Sequence, residues 1–161
     1  MKRTLAGIAL IVAVAACDTG GAEPTDPPEL SDTYGCGHGF YLGAPDQSAG
    51  LFLISQSGFG EAVPAGTHQL PTDAWVSELQ FGSDLFANWC DDVLEPGEPE
   101  PVTDEVWRVS GTLEITSLPP GGECGPATGV LTAAVARNEA GDEIVLGDID
   151  LHNDSWGCFA G

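Results

Sequence analysis

The clearest pattern along the chain is the alternation of apolar and polar residues between positions 105 and 116. The apolar phase consists of Trp107, Val109, Leu113 and Ile115, with Gly111 among them. The intervening positions are almost all polar or charged. A period of two predicts a strand with one face in a core and the other in water.

Shorter segments of the same character recur along the chain, separated by turn-forming residues. The predicted strands are residues 39–43, 51–55, 74–81, 85–90, 105–116, 127–137 and 143–152. Residues 82–84 predict a tight hairpin between the third and fourth of them. Because glycine or proline interrupts nearly every window long enough for a helix, we predict an all-β fold. Its expected form is an antiparallel β-sandwich of seven to eight strands, jelly-roll-like or immunoglobulin-like in shape, with a small barrel as the alternative.

The N-terminal segment has a different pattern. Lys2 and Arg3 precede an uncharged run of apolar and small residues from Leu5 to Ala16. This run has the length of the apolar region of a secretory signal and is shorter than the roughly 20 residues of a membrane-spanning helix. The pattern therefore predicts export.

The run ends in Val14-Ala15-Ala16-Cys17, which resembles the lipobox of bacterial lipoproteins. The resemblance covers residues 1–17 alone. It implies cleavage before Cys17, a diacylglycerol group on the Cys17 sulfur and often a third acyl chain, such as palmitate, on its amine. Two or three acyl chains give stable anchoring to a lipid bilayer, where a single chain is marginal.

Three parts of the chain follow from these patterns. Residues 1–16 are the expected lipoprotein signal peptide, and residues 17–33 form a lipidated cysteine with a disordered, acidic tether rich in proline and glycine. Residues 34–161 form the expected β-domain. The predicted location is the cell envelope, lipid-anchored and facing the periplasm or the cell exterior, with the choice of inner or outer membrane left open.

The chain is strongly acidic, with a formal charge of −21. Without residues 1–16 only two arginines face 25 acidic residues, which gives a formal charge of −23. The electrostatic field of such a negative charge repels nucleic acid and favours binding of cations or of a basic protein partner. Solubility or adaptation to high salt is the alternative explanation.

Four cysteines follow Cys17, and an even number in an exported chain indicates two disulfides. None of them forms a Cys-x-x-Cys pair that would suggest a zinc or redox motif. Three pairings are possible for four cysteines. The predicted strand directions favour Cys36–Cys90 and Cys124–Cys158.

An acidic cluster near the C-terminus is the candidate cation site. On an extended strand Asp148, Asp150 and His152 point to one face, with Asp154 beyond them, while Val145, Ile149 and Leu151 point to the core. Further oxygen ligands could come from Asp91 and Asp92. Hard oxygen ligands of this kind suggest calcium, whereas the lone histidine, His152, would favour a transition metal. The alternative is the solvated outer face of an edge strand.

No catalytic motif is present, so we do not expect an enzyme and assign no cofactor beyond calcium. Trp75 and Trp107 lie in apolar phases and are expected in the core, and Trp156 is expected to pack on a disulfide. The predicted function is a non-catalytic surface or interaction module. The alternatives are a calcium-binding module and an enzyme acting on an envelope polymer.

Overall fold

The computed structural model of the chain describes residues 26–57, 63, 65–91 and 96–158. In this part of the chain eight strands form one antiparallel sheet, so the predicted all-β fold is confirmed. The strands are β1 (Asp32–Tyr34), β2 (Gly39–Gly43), β3 (Ala49–Ser55), β4 (Gly66–Leu70), β5 (Trp75–Ser83), β6 (Val102–Ser117), β7 (Gly125–Arg137) and β8 (Glu143–Trp156). A 3-10 turn at Pro120–Gly122 joins β6 to β7.

The sheet is nearly closed. Its strands follow the order β1-β2-β3-β5-β6-β7-β8, and β4 pairs with the second half of β6, beyond the part that pairs with β5. The last strand meets the first ones where Asn153 Nδ2 donates a hydrogen bond to the Gly39 carbonyl oxygen at 2.7 Å. The Gly37 N–H likewise donates to the Cys158 carbonyl oxygen at 2.7 Å. The sequence predicts a sandwich of two sheets, whereas these strands form one curved sheet.

Irregularities in the long strands provide the curvature. The pairing of β6 with β7 shifts register around Gly111, which has a φ of 149°. A Cβ atom at Gly111 would lie 2.8 Å from the Thr132 carbonyl oxygen, so the two strands approach closely only because this residue has no side chain. Bulges bend a strand and increase its twist. Alternation alone fixes which residues face inward, but not whether one sheet curves or two sheets stack.

The inner face of the sheet encloses the main core. The predicted apolar phase of β6 is confirmed, because Trp107, Val109, Leu113 and Ile115 are each at most 5% exposed. Trp75 and Trp156 are also buried in this core, and the Trp156 ring centroid lies 5.0 Å from that of Phe40. The residues of these strands that face the core could therefore be predicted from the sequence.

The predicted strand at residues 85–90 is wrong. We call residues 84–90 the cover segment, because they form successive turns across the outer face of β2 and β3. Asp84, Asn88 and Cys90 have φ values of 52°, 55° and 64°, in the left-handed region that an extended strand does not visit. The predicted hairpin at residues 82–84 is absent for the same reason, and β5 pairs with β6 instead.

The cover segment builds a second hydrophobic cluster on the outside of the sheet. The Phe86 ring stacks on Tyr34 with centroids 3.8 Å apart and on Phe52 with centroids 5.0 Å apart. Gly43 and Gly50 are direct cross-strand partners beneath this stack. A Cβ atom on either glycine would lie 2.6–2.9 Å from carbon atoms of the Phe86 ring. β2 and β3 are consequently buried on both faces.

The folded domain begins before the predicted boundary at residue 34. The predicted tether extends to residue 33, whereas β1 already begins at Asp32 and pairs with β2. Leu30 packs against the main core and lines a groove together with Leu42 of β2 and Leu146 of β8. An apolar side chain at the seam between the first and last strands thus brings the end of the predicted tether into the fold.

Candidate interaction surface

Four side chains of β8 share one exposed face, and the first three of them were predicted to do so. We call Asp148, Asp150, His152 and Asp154 the β8 acidic strip. All four are exposed, whereas Leu151 between them is buried and Ile149 packs against the main core. The inward directions predicted for Leu151 and Ile149 are therefore confirmed. The strip lies on the last strand of the sheet and faces away from the core.

The predicted inward direction of Val145 is wrong. Val145 is 64% exposed, and its neighbour Ile144 is fully buried in its place. The register between β7 and β8 shifts between Val145 and Gly147, and Gly147 has a φ of 77°. This bulge reverses the phase of the strand, so the alternation that holds from Asp148 onward does not extend back to Val145.

Two carboxylates of the strip already have hydrogen-bonding partners. Asp148 Oδ1 accepts a hydrogen bond from the backbone N–H of Ala133 at 2.8 Å. Asp154 Oδ1 lies 2.7 Å from His152 Nε2, and both side chains are well exposed to water. Asp148 therefore stabilises the irregular pairing of β7 with β8, while the remaining carboxylate oxygens face solvent.

The predicted calcium ligands are not brought together in the part of the chain that the structure describes. Across these residues, no group of three or more histidine, cysteine, aspartate or glutamate side chains could hold a metal ion. Asp91 follows the cover segment directly and is exposed. Asp92 lies outside the described residues, so calcium binding through Asp91 and Asp92 stays a prediction.

The four cysteines that follow Cys17 gather at one end of the sheet. Cys124 and Cys158 form a disulfide with their Cα atoms 4.7 Å apart, as predicted. Cys36 and Cys90 are free thiols in this structure, in contrast to the predicted Cys36–Cys90 bridge. The Cys90 Sγ instead contacts the Gly35 carbonyl oxygen at 2.6 Å. The cover segment carries Cys90 across the outer face of the sheet to this end.

The lipidation site cannot be placed on this fold. Cys17 belongs to residues 1–25, which lie outside the described residues. Within the described ranges there is no helix whose length and apolar character would allow it to cross a membrane. Lipidation of Cys17 stays a prediction from the lipobox resemblance.

Sequence reasoning missed a pair of basic residues. Arg108 of β6 and Arg137 of β7 are direct cross-strand partners on the outer face of the sheet. Both lie in the polar phase of their strands, which indicates exposure, but only the register of the two strands shows that they are neighbours. They are the only lysine or arginine residues beyond position 3.

Comparison with known proteins gives no relative: the chain matches no protein-family model, no curated protein and no solved structure at a significant level. The function of this chain is therefore inferred from its own surface.

Proposed function

We propose that this protein is a lipoprotein of the bacterial cell envelope, anchored through acyl chains on Cys17, whose domain is a non-catalytic interaction module for a cationic protein. The observation that carries the proposal is the exposed β8 acidic strip. Anchoring is supported by the lipobox resemblance, and the exposed strip supports the choice of partner.

The charge distribution supports a cationic partner. From Gly125 to Trp156 the chain contains no lysine and one arginine, Arg137, whose Nε pairs with Glu143 Oε1 at 2.6 Å. Arg137 and Glu143 lie at the far end of β7 and β8 from the strip, so the strip has no basic neighbour on its own strand. A surface of one sign raises the association rate of an oppositely charged protein and fixes its orientation.

The choice of partner is tested by titrating the full-length chain with a ten-residue polylysine peptide in a calorimeter. Replacing both Asp150 and Asp154 by asparagine removes two charges from the strip. The matched control, Asp84→Asn with Asp104→Asn, removes two exposed charges elsewhere. We expect the strip variant to weaken binding about threefold or more relative to this control, because local charge complementarity decides orientation. Equal losses would mean that only net charge matters.

Anchoring is tested separately by the variant Cys17→Ser, with Cys90→Ser as the matched control because Cys90 is an exposed thiol. We expect Cys17→Ser to move the protein from the membrane fraction to the soluble fraction and to abolish labelling with radioactive palmitate. The control should behave as the wild type. Palmitate labelling that survives Cys17→Ser would refute the lipoprotein assignment.

A further inference from the structure

A groove on the outer face of the sheet brings together groups of both charges. Its volume is about 790 Å³, within the range typical of small-ligand sites. It runs beside β5, β6 and β7, away from the β8 acidic strip. The residues used below, all of which line it, are Asp73, Glu78, Val106, Arg108, Arg137 and Glu139.

Two like charges face each other in this groove. Arg108 and Arg137 are paired directly across β6 and β7, an arrangement that destabilises a sheet unless an anion separates the charges. The chain has 25 acidic residues that could pair with its arginines, yet the only two arginines of the domain are cross-strand neighbours of each other. This placement concentrates the positive charge of the domain at one point.

The Arg108 guanidinium has no acidic partner within the part of the chain that the structure describes. Among the described residues it makes no ion pair and no hydrogen bond, although Glu78 is its direct cross-strand neighbour on β5. Glu78 Oε2 instead accepts a hydrogen bond from Gln80 Nε2 at 2.9 Å. Arg137 uses its Nε toward Glu143, which leaves its two terminal nitrogens as donors. The two guanidinium groups therefore offer several N–H donors to one ligand.

Planar guanidinium groups bind carboxylates through two parallel hydrogen bonds. A purely anionic ligand, such as a phosphate dianion, meets repulsion from a chain of charge −21. Asp73, Glu78 and Glu139 line the same groove and suit a positive group on the same ligand, while Val106, 45% exposed, offers an apolar contact. A ligand with one carboxylate and at least one cationic group matches all of these features.

We propose that this groove binds the free C-terminal carboxylate of a short cationic peptide, with Arg108 and Arg137 as a paired carboxylate clamp. This site goes beyond the proposed function, since it needs neither the anchor at Cys17 nor the β8 acidic strip. The carboxylate lies between the two guanidinium groups, and the peptide's positive charges lie toward the acidic side chains of the groove.

The test is calorimetric titration of the full-length chain with the tripeptide Lys-Ala-Ala as its free acid and as its C-terminal amide. We expect the free acid to bind about tenfold more tightly, as loss of a charge-assisted hydrogen bond implies. Arg108→Gln should remove this difference, and Arg108→Lys should restore only part of it, because lysine lacks the planar fork. Glu114→Gln, on the same strand and face but outside the groove, should leave the difference intact.

Other outcomes would overturn the proposal. Equal binding of acid and amide, or a difference that survives Arg108→Gln, would show that the pair does not bind the carboxylate. Inorganic phosphate binding more tightly than the free acid would refute the ligand class. Arg137→Gln provides a second, independent variant that should also remove the difference, and thermal melting of each variant checks that it is folded.

Discussion

The outer face of the sheet has two regions of opposite character. Over β2 and β3 it is covered by the cover segment and packed with aromatic rings, whereas over β8 it is bare and acidic. Both regions come from strands that turn one face to the same main core. The difference lies in the outward residues, which are Tyr41, Phe52 and a glycine pair in one region and aspartates in the other. The covered region stabilises the fold, and the bare region is available for a partner.

The largest expected effect is in the covered region. Phe86 is 4% exposed and stacks between Tyr34 and Phe52, so Phe86→Ala should lower the free energy of unfolding by about 3–5 kcal/mol. Val106→Ala, a truncation at an exposed outward position of β6, should change it by less than about 0.5 kcal/mol. Urea unfolding of both variants measures the contrast, and similar losses would contradict it.

Alkaline pH should also weaken the covered region. Burial and, to a smaller extent, repulsion from the negative charge of the nearby Cys36 thiolate raise the pKa of Tyr41 to about 12. The folded state then holds the Tyr41 proton more tightly than the unfolded state, so stability is intact below pH 10 and falls as pH rises toward 12. The expected loss is about 2–3 kcal/mol.

Unfolding midpoints measured across this pH range check the prediction for Tyr41. Tyr41→Phe should flatten most of the decline, leaving the part due to Tyr34, whose pKa burial also raises. An unchanged pH profile in Tyr41→Phe would show that another group titrates there.

A substitution at Gly50, which lies beneath the Phe86 ring, should lower the free energy of unfolding somewhat less. In Gly50→Ala the new methyl group would lie 2.7–2.8 Å from ring carbons of Phe52 and Phe86, which should cost about 1–3 kcal/mol. The clash should be reduced when Phe86 is also replaced by alanine. A double-mutant cycle measures this coupling, and strictly additive losses would show that the ring does not rest on Gly50.

The smallest effects belong to the bare region. Asp148→Ala removes the acceptor for the Ala133 N–H and should cost about 1 kcal/mol of unfolding free energy. Asp150→Ala, two residues along the same face, should change stability by less than about 0.5 kcal/mol. Equal effects in urea unfolding would mean that Asp148 has no structural role distinct from that of its neighbour.

The inward phase of the sheet could be predicted from the sequence because burial on one face imposes alternation. Residues 105–116 and 149–151 show it clearly. The cover segment could not be predicted as a turn, because Leu85, Phe86 and Trp89 are as apolar as strand residues. The left-handed backbone at Asp84 and Asn88 is only weakly indicated by the sequence, because aspartate and asparagine adopt this conformation only occasionally.

Features that depend on the register between strands could not be predicted from the sequence either. The bulge at Gly147 reverses the phase of β8, and no local pattern reveals that Val145 points outward. The pairing of Arg108 with Arg137 depends on how β6 and β7 align. The short polar strand β4 has no apolar alternation, so it was missed. The acidic strip itself was predicted because a regular strand places Asp148, Asp150 and His152 on one face.

We expect the bare acidic region, and not the covered one, to meet a cationic partner. Nuclear magnetic resonance of the nitrogen-15-labelled full-length chain can locate the contact, with the ten-residue polylysine peptide as the probe. We expect the amide chemical shifts around Asp150, His152 and Asp154 to change as peptide is added, and those of Phe86 and Trp89 to stay constant. Shifts that change uniformly across exposed acids, or that centre on the cover segment, would contradict it.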